Sequence, residues 1–240
     1  LELITPATQQ AIQKGLEYLA ASQHEDGSFG SGSIYRQNVA VTALSGMAFL
    51  AAGNTPCRGK YGKHVDKALQ FILNASDASG FIKVRESSSH GPMYEHGFAT
   101  LFLAEVYGMS PREDVREKLK LAVNLIVNSQ NKEGGWRYQP QRKDADVSVT
   151  VCQIMALRAA RNCGIFVPKN TVEQCITQVI AQLKDVEGLY DAHRYVKPDA
   201  EITPSFRLAG GTFVHSFFEA FARARWATTL FSTCTSEWIR

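Results

Sequence analysis

The chain has 240 residues, of which 45% are hydrophobic and 20% charged, and its net charge is +3. This composition excludes a disordered chain, and so small a charge, with no run of more than two Lys or Arg, does not imply a nucleic-acid partner. No apolar stretch approaches the ~18 residues of a membrane span. The cysteines (Cys57, Cys152, Cys163, Cys175 and Cys234) are odd in number and form no C-x-x-C, which argues against a disulfide framework and a thiolate zinc site and favours a reducing, cytoplasmic compartment. The first residue is Leu1 and not Met, so a leader or anchor ahead of it stays open.

Taken in chain order, two kinds of helix alternate. Residues 6–21 place Ile12, Leu16 and Leu19 on one stripe. A glycine turn follows, Gln23 to Phe29, and then an apolar run over 39–52. Residues 64–73 are amphipathic again, with Val65, Leu69 and Ile72, and 97–107 is apolar nearly all round. Ser110-Pro111-Arg112-Glu113 reads as a capping box opening a third amphipathic helix over 111–129, with Val115, Leu119, Ala122 and Ile126 on its stripe. After a second turn, Gln130 to Trp136, the run 147–160 is apolar. The run 172–183 carries Val172, Cys175, Ile176, Val179, Ile180 and Leu183, and 212–222 is apolar and aromatic.

The turn glycines Gly27, Gly80, Gly135 and Gly188 are spaced by 53, 55 and 53, and Gly53, Gly108 and Gly164 form a second series at 55 and 56. One period near 54 predicts four helix-pair repeats, approximately 5–55, 62–109, 110–165 and 168–226, in a single domain with a tail over 227–240. A helix without a wet face is buried on both sides. Alternating one-faced and all-round helices therefore predict an all-α fold in two layers, a partial α/α barrel of about four helical hairpins. The competing arrangement is a straight α-solenoid, in which both helices of a pair usually keep a solvent face.

Both Gln23-His24-Glu25-Asp26-Gly27-Ser28-Phe29 and Gln130-Asn131-Lys132-Glu133-Gly134-Gly135-Trp136 read Q-x3-G-x-aromatic. These motifs resemble the QW repeats of the terpenoid-cyclase/protein-prenyltransferase superfamily, and most of all bacterial prenyltransferase/squalene-oxidase-repeat proteins. The resemblance covers about residues 7–190. The turns at Asn74…Gly80-Phe81 and Gln182…Gly188-Leu189 depart from the motif spacing. It implies an α/α toroid, usually of six helix pairs, so four pairs imply a partial ring that is open on one side or completed by a second chain or a homo-oligomer.

The polar residues of such a fold gather where the apolar helices begin: Arg36 among Tyr35 to Asn38, the segment His90 to His96, Asp144-Ala145-Asp146, and Thr212 with His215. Asp144-Ala145-Asp146-Val147-Ser148 is similar to the D-x-D-D-T motif of squalene–hopene-cyclase-like enzymes. That resemblance implies Asp146 as the acid that protonates a polyprenyl alkene and Asp144 as its partner, with Val147 standing where the third aspartate would be. His96 and Tyr94 are candidates for a proton relay. As plain sequence, Asp146 is also an N-cap for the helix at Val147, and His96 a buried histidine satisfied by backbone. Protein prenyltransferases hold zinc with a D-x-C triplet; D-A-D lacks the thiolate, so neither metal nor other cofactor is expected.

Substrate-lining candidates are Arg36, Phe98, Phe102, Trp136, His215 and Phe217, since aromatic faces suit an isoprenoid chain and steady carbocations. The expected partner is a hydrophobic isoprenoid-like small molecule, with peripheral membrane contact compatible with it. Two alternatives stand beside the cyclase: a non-catalytic toroid that binds a hydrophobic ligand or a protein, and a polysaccharide lyase, which predicts Arg36 and Arg137 in a basic groove.

Overall fold

The computed structural model describes residues 5–32, 35–84 and 91–179. The end of the fourth repeat, the tail, Gly188, His215 and Phe217 lie outside the described residues, as does His90. The elements in order are α1 (Pro6–Ser22), a short antiparallel hairpin of β1 (Phe29–Ser31) and β2 (Tyr35–Asn38), α2 (Val39–Ala51), α3 (Gly62–Asn74), α4 (Pro92–Met109), α5 (Glu113–Ser129) and α6 (Val147–Asn162). A further helix, α7, is described over 169–179. Among the described residues the fold is all-α apart from the hairpin. No helix among the described residues is long and apolar enough to cross a membrane.

The helices form where the apolar spacing places them, and their ends follow local chemistry. Thr5 caps α1 by accepting from the Thr8 N–H, with Pro6 in the first turn. The Asn38 side chain caps α2 through the Val41 N–H at 2.9 Å. Pro92, whose missing N–H is harmless in a first turn, starts α4 five residues before the expected 97. The expected capping box at Ser110 does not form. The Ser110 N–H bonds Val106 O at 2.8 Å and so closes α4. α5 begins only at Glu113, with no side-chain cap from Arg112. The Arg112 guanidinium is engaged instead by Asp114 and Asp66.

The even-numbered helices are the buried ones. α4 packs between α2 and α6, and the amphipathic helices pack on them: α1 and α3 on α2, α5 on α4 and α6. From Pro92 to Val106, α4 buries every residue except Tyr94 and Glu105, which is why its sequence shows no polar stripe.

Three turns have one geometry. His24, Asp77 and Asn131 each donate their N–H to the carbonyl four residues on, at 3.0 Å in all three, and each accepts the N–H of the glycine three residues on. Those glycines are Gly27, Gly80 and Gly134, with φ of +88°, +86° and +99°. The series therefore runs through Gly134 and not Gly135, and the second repeat, irregular in its letters, is regular in its backbone. Left-handed φ is open to glycine at no steric cost. Here a second reason applies. A Cβ on Gly27 would collide with the backbone of Lys67 in α3, one on Gly80 with Leu121 in α5, and one on Gly134 with Gln174 in α7. Each turn is seated on the amphipathic helix of the next repeat, at one register.

The glutamines of the two full motifs complete this seat. Gln23 Nε2 donates to Gly27 O and His64 O at 3.0 Å, and Gln130 Nε2 to Gly134 O at 2.9 Å and Thr171 O at 2.8 Å. Each amide ties its own turn to the first turn of the following amphipathic helix. The second glycine series divides: Gly53 and Gly164 close α2 and α6 with the same pair of backbone bonds, whereas Gly108 still lies inside α4.

Candidate functional site

The N-termini of α4 and α6 lie side by side, because Tyr94 and Ser148, each in a first helical turn, join their hydroxyls. Around this contact sits a small polar cluster. Ser148 Oγ donates to Asp146 Oδ1, which also accepts the N–H groups of Ser148 at 2.9 Å and Val149 at 3.2 Å. The Tyr138 hydroxyl approaches Oδ2 at 3.4 Å. The Tyr94 and Tyr138 rings are 6.1 Å apart, and Arg137 lies over Tyr138 while pairing with Asp144. Gln153 Nε2 binds Met93 O at 2.8 Å and fastens α6 to the start of α4.

Asp146 is thus the N-cap of α6. With a serine hydroxyl and two helix N–H groups on one oxygen, its first task is to satisfy the donors that every helix start leaves unpaired. Replacing Asp146 by alanine is expected to lower the unfolding free energy by about 1–2 kcal/mol, and replacing it by asparagine, which keeps the accepting oxygen, by a few tenths. Urea denaturation of the two variants checks this; equal losses would mean that the cap is not what Asp146 supplies.

The neighbours are donors and not nucleophiles. Burial, followed by the nearby Asp146 carboxylate, pushes the Cys152 thiol up to about 12. Burial likewise raises the Tyr94 phenol to about 12 against the lowering bond from Ser148. Both stay protonated at neutral pH, and neither is an activated anion. Among the described residues no three His, Cys, Asp or Glu side chains stand together as metal ligands.

The other sequence candidates fall into different places. Asp144 is exposed and pairs with Arg137 across the 137–144 loop. Arg36 is exposed on β2. Phe98 is buried with a small exposed remnant, and Phe102 and Trp136 are closed off in the core. The Trp136 indole N–H donates to Ile126 O at 2.8 Å, so this ring braces the turn against α5 and has no surface for a ligand.

His96 is corrected most clearly. It is fully buried, its Nδ1 accepts the Ile82 N–H at 3.2 Å, and its Nε2 lies 3.2 Å from Ala122 O. Since Nδ1 accepts, the proton is on Nε2, and the neutral ring is satisfied at both ends by backbone. No nitrogen is left for a relay. The repeats explain the residue. The N–H of Phe29 is received by Thr42 Oγ1 at 2.9 Å, and that of Trp136 by Thr150 Oγ1 at 3.0 Å. Thr42, His96 and Thr150 do one job, holding the strand that leaves the turn against the helix that follows.

Ser148, the last residue of the D-x-D-D-T-like stretch, and Tyr138 complete the cluster; the only signal of Tyr138 in the sequence is a position near the Asp146 cap. A second feature is apolar. On the even-numbered helices, Val41 and Leu44 of α2 are exposed, and Val151, Ile154 and Met155 of α6 are half-buried. No protein-family model matches the chain, and no curated protein matches it.

Proposed function

We propose that this chain is an α/α-toroid repeat protein of the terpenoid-cyclase/prenyltransferase kind that binds a hydrophobic, isoprenoid-like molecule along the apolar side of its even-numbered helices. The observation that carries the reading is the partly exposed apolar set Val41, Leu44, Val151, Ile154 and Met155 on helices otherwise packed into the core. Burying a side chain of this size from full exposure is worth about 1.5–3 kcal/mol, so these partly covered ones gain a fraction of that each, and a flexible polyprenyl chain covers such a surface without needing polar partners. The seating of each turn on the next repeat supports the repeat part of the reading, since it advances every pair by one fixed step.

The test is binding of farnesol and geranylgeraniol to the purified protein, with mass spectrometry of small molecules extracted from it. Dissociation constants in the micromolar range are expected, weakened more than tenfold in a Leu44→Glu, Ile154→Glu double variant. Absence of any extracted lipid together with absence of binding overturns the reading.

A second reading, cyclisation started by protonation, draws on one observation: the Tyr94, Ser148 and Asp146 oxygens form an unbroken hydrogen-bonded row. In its acid form Asp146 would pass a proton to an alkene carbon; ring closure moves the resulting positive charge to a new carbon, and loss of a proton to water ends the sequence. This reading fails if Asp146→Asn leaves turnover of an accepted isoprenoid unchanged. The polysaccharide-lyase reading loses support, because Arg137 is engaged by Asp144 and Tyr138.

A further inference from the structure

Thr42, His96 and Thr150 stand at one level of α2, α4 and α6, 54 residues apart. The same spacing sets Leu44 level with Phe98, and Met47 with Leu101 and Met155. Tyr94, Phe98 and Leu101 follow one another at four and three residues, and Met155 follows Ser148 at seven, so each set shares one side of its helix. Leu44 is exposed, Met47 and Met155 are half-buried, and Phe98 and Leu101 keep small exposed remnants. This apolar side ends, at the helix starts, on the joined hydroxyls of the half-buried Tyr94 and Ser148. The protons there have fixed directions. Ser148 gives its one hydroxyl proton to Asp146 Oδ1, so the proton in the contact between Tyr94 and Ser148 is that of Tyr94. Tyr138 gives its own to Asp146 Oδ2. Both phenol oxygens therefore offer acceptor lone pairs and no proton.

We propose that the Tyr94 end of this apolar side is a head-group subsite that takes a hydrogen-bond donor, so that the hydrophobic molecule is held as an alcohol whose hydroxyl donates to Tyr94 Oη while its tail lies over Phe98 and Leu101. The proposal rests on the hydrophobic-ligand reading and adds to it the chemistry of the polar end. Three arguments carry it. First, an oxygen that has spent its only proton is complemented by a donor, and an alcohol is the smallest neutral one. Second, an ether at the same place sets acceptor against acceptor, and both lose their water without gaining a partner. Third, a diphosphate would meet the Asp146 carboxylate, and the cation at the cluster, Arg137, is already engaged by Asp144 and lies over the Tyr138 ring. The phenol of Tyr94, raised by burial, keeps its proton on Ser148 throughout the neutral range, so the pattern of donors does not change there.

The experiment is calorimetric titration of the full chain with farnesol, farnesyl methyl ether and farnesyl diphosphate, for the wild type and for Tyr94→Phe, which keeps the ring and removes the accepting oxygen. The wild type is expected to bind farnesol about fivefold or more tightly than either of the other two. Tyr94→Phe is expected to bind farnesol and the ether within about twofold of each other. A wild type that binds the ether or the diphosphate as tightly as farnesol overturns the proposal, and so does a Tyr94→Phe protein that keeps the full preference for the alcohol. The three compounds carry one tail, so either result leaves the hydrophobic-ligand reading standing. Binding of none of the three by the wild type overturns that reading, and the subsite with it.

Discussion

Gly134→Ala is expected to lower the unfolding free energy by about 3–4 kcal/mol, and Gly164→Ala by only about 1–2 kcal/mol. The two glycines make a matched pair. Both have positive φ, +99° and +88°, and both follow a helix. Each alanine must therefore enter the left-handed region, at roughly 1–2 kcal/mol. Around Gly164 there is nothing within 4 Å of the new Cβ, and the cost stops there. At Gly134 the Cβ would run into the carbonyl of Gln174 and the backbone nitrogen of Cys175. A helix backbone does not yield as a side chain does. The turn must lift away from α7, loosening the bonds of Gln130 Nε2 to Gly134 O and Thr171 O. Overpacking of this sort adds ~1–3 kcal/mol. Urea midpoints at equal m-values separate the two effects. Equal losses for the two variants would mean that the seat on α7 contributes nothing to stability.

The same seat shows how much of the structure could be read in advance. Helix alternation and the ~54-residue period are properties of apolar spacing and of glycine, and both are plain in the letters. The irregular second turn is not, because a backbone turn can be held by different side chains: Asp77 Oδ1 receives the N–H groups of Ser79 and Phe81, as Asn131 Oδ1 receives those of Glu133 and Gly135. The β1–β2 hairpin is equally silent, being two short strands between a turn and a cap. The capping box at Ser110 misleads because the same N–H is used to end the preceding helix.

At the candidate site, Asp146 was legible as a cap, since aspartate before an apolar helix has one common use. His96 was misleading by type: histidine beside tyrosine and glutamate suggests proton transfer, and threonine at the sister positions does not. The overlooked signal was spacing. Thr42, His96 and Thr150 are each 54 residues apart, and a residue that recurs in a structural register is first to be tested as part of the structure.

That structural role makes His96 a source of pH-dependent stability. Burial lowers its pKa from the ordinary 6.5 to about 4, against the opposing effects of its backbone bond to Ala122 and of Asp77. The folded protein holds the ring neutral while the unfolded chain protonates it at about 6.5, so below that pH the unfolded state binds more protons and stability falls as pH falls. The contribution is complete above pH 6.5 and is lost progressively down to about pH 4. A shift of this size corresponds to about 3 kcal/mol across the window. The carboxyls of Asp26 and Asp77 add little there: burial raises them, but hydrogen bonds from Ser28 and Ser79 hold both below the ordinary 3.8. Unfolding free energies between pH 7.5 and 4.5 are therefore expected to fall steeply for the wild type. The asparagine of His96→Asn retains an acceptor for the Ile82 N–H but does not titrate, which leaves His64, also lowered by burial, as a smaller source of the same sign. The variant starts lower, because the bond to Ala122 O is lost, and its stability changes much less between pH 6.5 and 4.5. A His96→Asn protein with the wild-type slope would show that the buried ring is not what the acid attacks.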